Sequence, residues 1–168
     1  MNIPLSVKYI GNYCFCECSS LTSVTIPSSV TSIGYGCFSE CSNLSSITTP
    51  LSVTSISVCC FSGCSNLTNV NIPLSVKYIG EYCFGGCNSL SSVTIPSSVT
   101  SIGEYCFGGC SSLSSITIPS NVRYIDNGSN EIIYEVELVD YSCTSSYVRK
   151  GGLKAAPSPT HLLGTEIT

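Results

Sequence analysis

Residues 73–95 read PLSVKYIGEYCFGGCNSLSSVTI and residues 96–118 read PSSVTSIGEYCFGGCSSLSSITI, so two adjacent segments agree at 18 of 23 positions. The same spacing extends outward from this pair in both directions. The proline that opens each unit recurs at Pro4, Pro27, Pro50, Pro73, Pro96 and Pro119. A fixed period of about 20–50 residues is typical of proteins whose units stack on their neighbours. The repeat therefore decides the fold before any local structure is assigned.

Each unit is too short to enclose a core, so its aliphatic positions must stack on their copies in the next unit. Residues 21–26 alternate polar and β-branched side chains, which predicts one short strand per unit, and residues 30–33 predict a second, shorter extended segment. The stretch around Cys37 and Phe38 is too short for more than a helical turn. The sequence predicts a solenoid of about five full 23-residue repeats plus a partial one, built mostly of short β-strands with turns and little helix.

The repeat also resembles a known family. The segment Ile-Pro-Ser-Ser-Val-Thr-Ser-Ile-Gly at residues 26–34, then Cys-Phe, a Cys three residues on and a Leu three further, is similar to the BspA-like branch of the leucine-rich repeats. The resemblance covers about residues 3–125. It implies a right-handed leucine-rich-repeat solenoid of the α/β superhelix class, and a surface protein that adheres to host or neighbouring-cell molecules.

The chain departs from that family pattern at two kinds of position. Cysteine precedes the phenylalanine where many members have alanine, and Ser57 and Asp126 replace the repeated glycine. We expect neither change to threaten the fold. Met1 to Pro4 lack the pattern of a signal peptide and no membrane anchor is recognised, so a cell-surface or extracellular location is implied by the resemblance alone.

Composition narrows the classes of partner. The net charge is −4, and the six Lys and Arg residues are scattered, which argues against nucleic acid as a partner. No apolar run approaches the ~18 residues of a membrane span, so we expect no membrane insertion. Residues 1–126 are predicted to form the solenoid.

The C-terminal residues differ from the repeats, because residues 123–168 hold ten of the sixteen charged residues. Residues 127–150 are a candidate C-terminal cap, with an alternating strand predicted at residues 132–139. Residues 151–168 are predicted to be a disordered tail or linker. The first unit has no predecessor in this sequence, so we expect an uncapped N-terminal edge. This indicates either a fragment of a longer protein or an edge that another subunit closes by self-association.

Three columns of residues are predicted to form the core. The columns comprise Phe15, Phe38, Phe61, Phe84 and Phe107; Leu21, Leu44, Leu67, Leu90 and Leu113; and Cys18, Cys41, Cys64, Cys87 and Cys110. A second cysteine column precedes the phenylalanines at Cys14, Cys37, Cys60, Cys83 and Cys106. Buried free thiols are the favoured interpretation of both cysteine columns. Disulfides between neighbouring rungs are an alternative, since adjacent strands lie ~4.8 Å apart.

Chemistry beyond packing is not indicated. The cysteines lack two separated CxxC pairs and His161 is the only histidine, so no metal site is predicted. The same histidine lies far from the repeats, which leaves no base for a nucleophile. We predict that the chain is not an enzyme and needs no cofactor.

The outward positions of the strands form the candidate binding surface, on the expected concave face. These positions are Ser23, Thr25, Ser46, Thr48, Thr68, Asn69, Asn71, Ser92, Thr94, Ser115 and Thr117. Repeat proteins commonly bind through such a face, although small polar side chains also serve simply to keep a strand soluble. A regular threonine array is also compatible with ice binding, but Asn71 interrupts it.

The function predicted from the sequence is therefore a binding one: an adhesion or recognition module that binds a protein or a glycan. The alternative is a structural or scaffolding protein that self-assembles through its repeat ends. Concentration-dependent mass is expected only of the second.

Overall fold

The computed structural model describes residues 3–119, 121–126 and 129–132, and over these residues the chain winds as a β-solenoid of short parallel strands. The strands are β1 (Tyr9–Ile10), β2 (Ser23–Thr25), β3 (Ser32–Ile33), β4 (Ser46–Thr48), β5 (Ser55–Ile56), β6 (Tyr78–Ile79), β7 (Ser92–Thr94), β8 (Ser101–Gly103), β9 (Ser115–Thr117), β10 (Arg123–Asp126) and β11 (Ser129–Ile132). No helix forms in this part of the chain, and so none there is long and apolar enough to cross a membrane. The predicted solenoid is confirmed.

Two sides of the solenoid are made of strands. The first side holds β2, β4, β7 and β9, and the second holds β1, β3, β5, β6, β8 and β10. Pairing is parallel with an offset of one repeat, as in Val24 opposite Ile47 on the first side and Ile79 opposite Ile102 on the second. Because the pairing offset equals the repeat length, equivalent residues of successive units form straight columns.

The third side consists of turns, yet it carries a backbone ladder of the same kind. The N–H of Phe61 donates to the carbonyl oxygen of Cys83 in the next unit at 2.8 Å, and the other units repeat this bond. Two positions per turn adopt left-handed backbone, for example Cys59 (φ 55°) and Gly63 (φ 73°). Ladders on all three sides fix the register of the turns.

The core lies inside these three sides. The phenylalanine rings stack in one column with centroids 5.3 to 5.7 Å apart and interplanar angles of 6° to 15°. The leucine and cysteine columns are buried beside them, except that Phe15, Cys18 and Leu21 of the first unit are only partly buried. Offset-stacked aromatic pairs at these separations are favourable, so the column joins neighbouring units.

The first strand side is interrupted in the third unit. Where the other units form a strand, residues 69–71 form only an isolated bridge between Thr48 and Asn71. Asparagine at positions 69 and 71 disfavours extended structure. In the preceding unit, Thr49 follows the bridge residue Thr48 and is buried where the other units place isoleucine. The prediction of one strand in every unit is therefore wrong for the third unit.

The second strand side is interrupted where Ser57 replaces the repeated glycine. At Gly80, the equivalent residue of the next unit, an added Cβ would lie 2.5 Å from the backbone carbon of Ser57, so the position leaves no room for a side chain. No strand pairing joins β3 to β5, although every other neighbouring pair along this side is paired. In the neighbouring units the backbone N–H of the glycine donates to the isoleucine carbonyl oxygen of the preceding unit, as Gly34 does to Ile10 and Gly80 to Ile56. At the interrupted rung the Ser57 hydroxyl donates to the Ile33 carbonyl oxygen instead. The fold survives the substitution, as expected, but one rung of the ladder opens.

The C-terminal end of the second side turns back on itself. Strand β11 pairs antiparallel with β10, the only antiparallel pairing among the described strands. Strand β11 lies within the candidate cap at residues 127–150, but most of the strand predicted at residues 132–139 lies outside the described residues. The predicted tail at residues 151–168 lies outside them entirely.

Candidate functional site

The predicted binding residues lie on the first strand side, where they form a surface that we call the hydroxyl face. Its members are Ser23, Thr25, Ser46, Thr48, Thr68, Asn69, Asn71, Ser92, Thr94, Ser115 and Thr117, all exposed except Ser115, which is half-buried. Alternate residues such as Val24 and Ile47 point into the core. The alternation predicted from the sequence thus places the polar side chains of each strand outside and the apolar ones inside.

One member of the hydroxyl face differs from the rest. The Thr68 hydroxyl donates to the carbonyl oxygen of Ser45 at 3.4 Å, as Ser45 does to Thr22 at 3.1 Å. Thr68 therefore belongs to a hydroxyl column that supports the backbone. The side chains of the other ten members make no hydrogen bond to any residue that the structure describes, so their donors and acceptors are available to a ligand.

The hydroxyl face carries no charge. Strands β2, β4, β7 and β9 contain only serine, threonine, valine and isoleucine. Along the paired strands the polar side chains repeat every ~4.8 Å, the spacing of neighbouring strands. Such a surface recognises a ligand through hydrogen bonds and shape, since it offers no long-range electrostatic attraction.

From the second unit onward the two cysteine columns lie in the core, as the favoured interpretation predicted, whereas Cys14 of the first unit is exposed and Cys18 is half-buried. All twelve cysteines among the described residues are free thiols, whereas Cys143 lies outside them. The Cys64 thiol donates to the Phe38 carbonyl oxygen at 3.1 Å, and the Cys87 thiol to that of Phe61 at 3.2 Å. Each thiol thus caps a carbonyl of the preceding turn as a weak donor, which gives the column a packing role.

Burial also alters the acidity of these thiols. It raises the pKa of Cys41 to about 11 and that of Cys64 to about 12, and it holds the pKa of Cys60 well above the ordinary value of 9. A low thiolate population makes a thiol a poor nucleophile and a poor metal ligand. No group of three or more histidine, cysteine or acidic side chains within the described residues is placed to hold a metal ion.

Alkylation is expected to divide the cysteines into two classes. In native protein at pH 8, iodoacetamide should modify exposed Cys14 first and should leave buried Cys60, Cys83 and Cys106 intact until urea unfolds the chain. Peptide mass spectrometry measures the order. Rapid native labelling of Cys83 would contradict the buried columns.

The stability of the fold is expected to depend on pH through the same thiols. Since their pKa values are higher in the folded chain than in the unfolded chain, the urea midpoint should fall as the pH rises from 9 to about 12.

The second strand side carries a depression that was not predicted from the sequence and that we call the tyrosine groove. It has a volume of about 380 Å³ and is lined chiefly by Tyr9, Asn12, Ser32, Tyr35, Ser55 and Tyr78. One signal was present in the sequence: Tyr9 and Tyr78 occupy the repeat position that Ser32 and Ser55 hold in the two units between them. Nothing in the repeat pattern pointed to Tyr35 or Asn12.

Hydrogen bonds hold the rim of the tyrosine groove. The Asn12 amide oxygen accepts from the Tyr35 backbone N–H at 2.9 Å and from the Tyr9 hydroxyl at 3.3 Å. The Tyr35 ring meets that of Tyr13 edge-on, with centroids 5.0 Å apart. Side-chain hydrogen bonds with Cys59 and Tyr13 raise the pKa of the Tyr35 hydroxyl. These contacts hold the rings of Tyr9 and Tyr35 in place.

Known proteins share this architecture. The crystal structure of a leucine-rich repeat protein from T. pallidum is 31% identical with a TM-score of 0.66, over 72% of this chain and 63% of that one. A leucine-rich cell surface protein from Faecalibacterium prausnitzii is 38% identical with a TM-score of 0.67, over 69% of this chain and 31% of that one. The pneumococcal vaccine antigen PcpA, 22% identical with a TM-score of 0.59 over 72% of this chain and 34% of that one, shares the fold. The chain thus spans less than two thirds of the length of each.

The repeat units of the chain match those of a known family. No curated protein matches the chain. The model of the BspA type leucine-rich repeat region matches residues 1–88 and 31–146, in six copies. Those two matches together take in all the solenoid turns described above. The chain therefore belongs to the BspA-type leucine-rich repeat family.

Proposed function

We propose that the chain is an adhesion or recognition module whose hydroxyl face binds a protein or a glycan. The observation that supports it is a set of ten hydroxyl and amide side chains on one side of the solenoid, nine of them exposed and Ser115 half-buried, that have no hydrogen-bond partner among the described residues. A rigid array loses little conformational entropy when it meets a ligand, and many weak contacts in register add up along the repeat.

The family points the same way. Leucine-rich repeat proteins typically bind or support other molecules and seldom catalyse reactions, and one similar structure is that of a cell surface protein. We propose a cell-surface location for this chain as well. Because the hydroxyl face is uncharged, its affinity for a partner should change little with ionic strength.

The test is binding of the purified chain to a panel of immobilised matrix proteins and glycans, beside a variant with Thr25, Thr48, Thr94 and Thr117 changed to lysine. Charge and bulk on the hydroxyl face should weaken binding at least about tenfold, the equivalent of ~1.4 kcal/mol. Equal binding by wild type and this variant would rule out the hydroxyl face.

A matched control carries lysine on the other strand side, with Thr31, Thr54 and Thr100 replaced. Lys8 and Lys77 already occupy that repeat position, and urea denaturation of the control measures whether the fold accepts three more lysines in the same column. The control should keep wild-type affinity for the panel partner. Light scattering on the same samples addresses the alternative, since mass that grows with concentration would favour a self-assembling scaffold.

A further inference from the structure

The tyrosine groove has the shape of a trough that runs along the solenoid axis. Tyr9, Ser32, Ser55 and Tyr78 are successive rungs of one column, with Tyr9 paired to Ser32 and Ser55 paired to Tyr78. Large aromatic side chains thus close both ends of a floor made by two small ones. At ~4.8 Å per rung the end walls stand roughly 14 Å apart, which suits an extended ligand.

The floor of the trough coincides with the interrupted ladder. Ser57 lines the groove, and it carries a side chain at a position where the neighbouring units, with Gly34 and Gly80, leave no room for one. The two neighbouring strands that lack pairing are β3 and β5, and these strands carry the floor residues Ser32 and Ser55. The substitution that weakens the sheet is therefore located at the cavity, and the cavity is a local feature of this part of the solenoid.

The polar groups of the trough are available and uncharged. Within the part of the chain that the structure describes, the hydroxyls of Ser32 and Ser55 make no hydrogen bond. The Asn12 amide oxygen accepts from Tyr9 and Tyr35, which leaves its NH₂ group to donate elsewhere. No charged side chain lines the groove. The trough thus combines aromatic walls with neutral donors and acceptors.

We propose that the tyrosine groove is a second binding site, specific for a neutral linear oligosaccharide. Sugar rings present C–H faces that pack on the tyrosine rings, and their hydroxyls both donate and accept, as do those of Ser32 and Ser55. The volume of about 380 Å³ lies within the ~300–1,000 Å³ of typical ligand sites. A proline-rich peptide also packs on aromatic rings, but it offers carbonyl acceptors alone, so the hydroxyls of Ser32 and Ser55 could donate to it and would receive no hydrogen bond in return.

The site is tested by calorimetric titration of the whole chain with cellotetraose, maltotetraose and triacetylchitotriose at millimolar concentration, with decaproline as the peptide probe. The wild type should bind at least one oligosaccharide. Ser55→Tyr fills the floor and Tyr9→Ala removes a wall, so each should weaken that binding at least about tenfold. Leu74→Tyr places the same ring on an exposed turn outside both surfaces and should bind like the wild type.

A further variant separates binding from stability. Ser57→Gly restores the residue of the other units, so it should close the open rung, raise the urea midpoint and weaken oligosaccharide binding. A variant that had merely lost its fold would lower the midpoint instead.

Three outcomes would overturn the proposal: no oligosaccharide binds the folded wild type, decaproline binds in their place, or Ser55→Tyr binds as tightly as the wild type. The lysine variant of the hydroxyl face should keep its oligosaccharide binding. The failure of one site is therefore distinguishable from the failure of the other.

Discussion

Replacing Phe61 by alanine is expected to lower the free energy of unfolding by about 3–5 kcal/mol. The Phe61 side chain is fully buried and stacks on Phe38 and Phe84, with ring centroids 5.7 and 5.5 Å away. Its loss leaves a cavity that the column cannot fill, because the backbone ladders on three sides fix the distance between turns. Urea denaturation followed by circular dichroism measures the change.

Phe15→Ala is the matched control. Phe15 stacks on one ring only, at 5.3 Å from Phe38, and it is partly buried. Its replacement should cost clearly less than that of Phe61. In a repeat protein a weak interface in the middle also separates the two halves, so Phe61→Ala should broaden the transition whereas Phe15→Ala should not. Equal losses for the two variants would contradict the stacked column as the link between turns.

The second large effect is expected from Gly103→Ala, which should destabilise the chain by about 1–3 kcal/mol. A Cβ at Gly103 would lie 2.6 Å from Cα of Glu81 and closer still to its backbone nitrogen. Backbone atoms cannot move aside as a flexible side chain can. The added methyl group must therefore open the rung between β6 and β8, as Ser57 does between β3 and β5.

Gly11→Ala provides the comparison at the same repeat position. There the nearest atom to an added Cβ is Cε1 of Tyr9, at 4.0 Å. This substitution should leave the urea midpoint unchanged or raise it slightly, since alanine restricts the unfolded chain more than glycine. If Gly103→Ala were as harmless as Gly11→Ala, close packing of the turns would not be the reason for glycine in this column.

The repeat predicted the solenoid because its consequences are local and periodic. A proline, a phenylalanine and a leucine at fixed positions in each unit require the units to stack, and alternation in residues 21–26 places Val24 inside and Thr25 outside. The prediction failed where one unit departs from the others. Asn71 reduces a strand to a bridge, and Ser57 opens one rung of the ladder while leaving the fold intact.

The groove could not be predicted in the same way. Its walls come from Tyr9 and Tyr78, which are three units apart, and its rim depends on a hydrogen bond between Asn12 and the backbone of Tyr35. A consensus averages such differences away, because it retains what the units share. In near-identical repeats, functional surfaces are better sought at repeat positions that hold a large residue in some units and a small residue in others.

The hydroxyl face was predicted as a set, because every second strand residue points outward. The sequence did not show that Thr68 is bonded to the backbone while Thr25 and Thr94 are not. That distinction depends on which carbonyl oxygen lies beside each hydroxyl in the stacked turns. It narrows the candidate binding surface to ten side chains.

The most direct test of the hydroxyl face is a methyl NMR spectrum of threonine-labelled protein, recorded with and without the tightest partner from the binding panel. The proposal predicts that the methyl signals of Thr25, Thr48, Thr94 and Thr117 shift on binding. Signals of Thr31, Thr54 and Thr100, which lie on the other strand side, should stay in place. Shifts of those three signals alone, or no shift of any of the seven signals, would contradict the assignment of binding to the hydroxyl face.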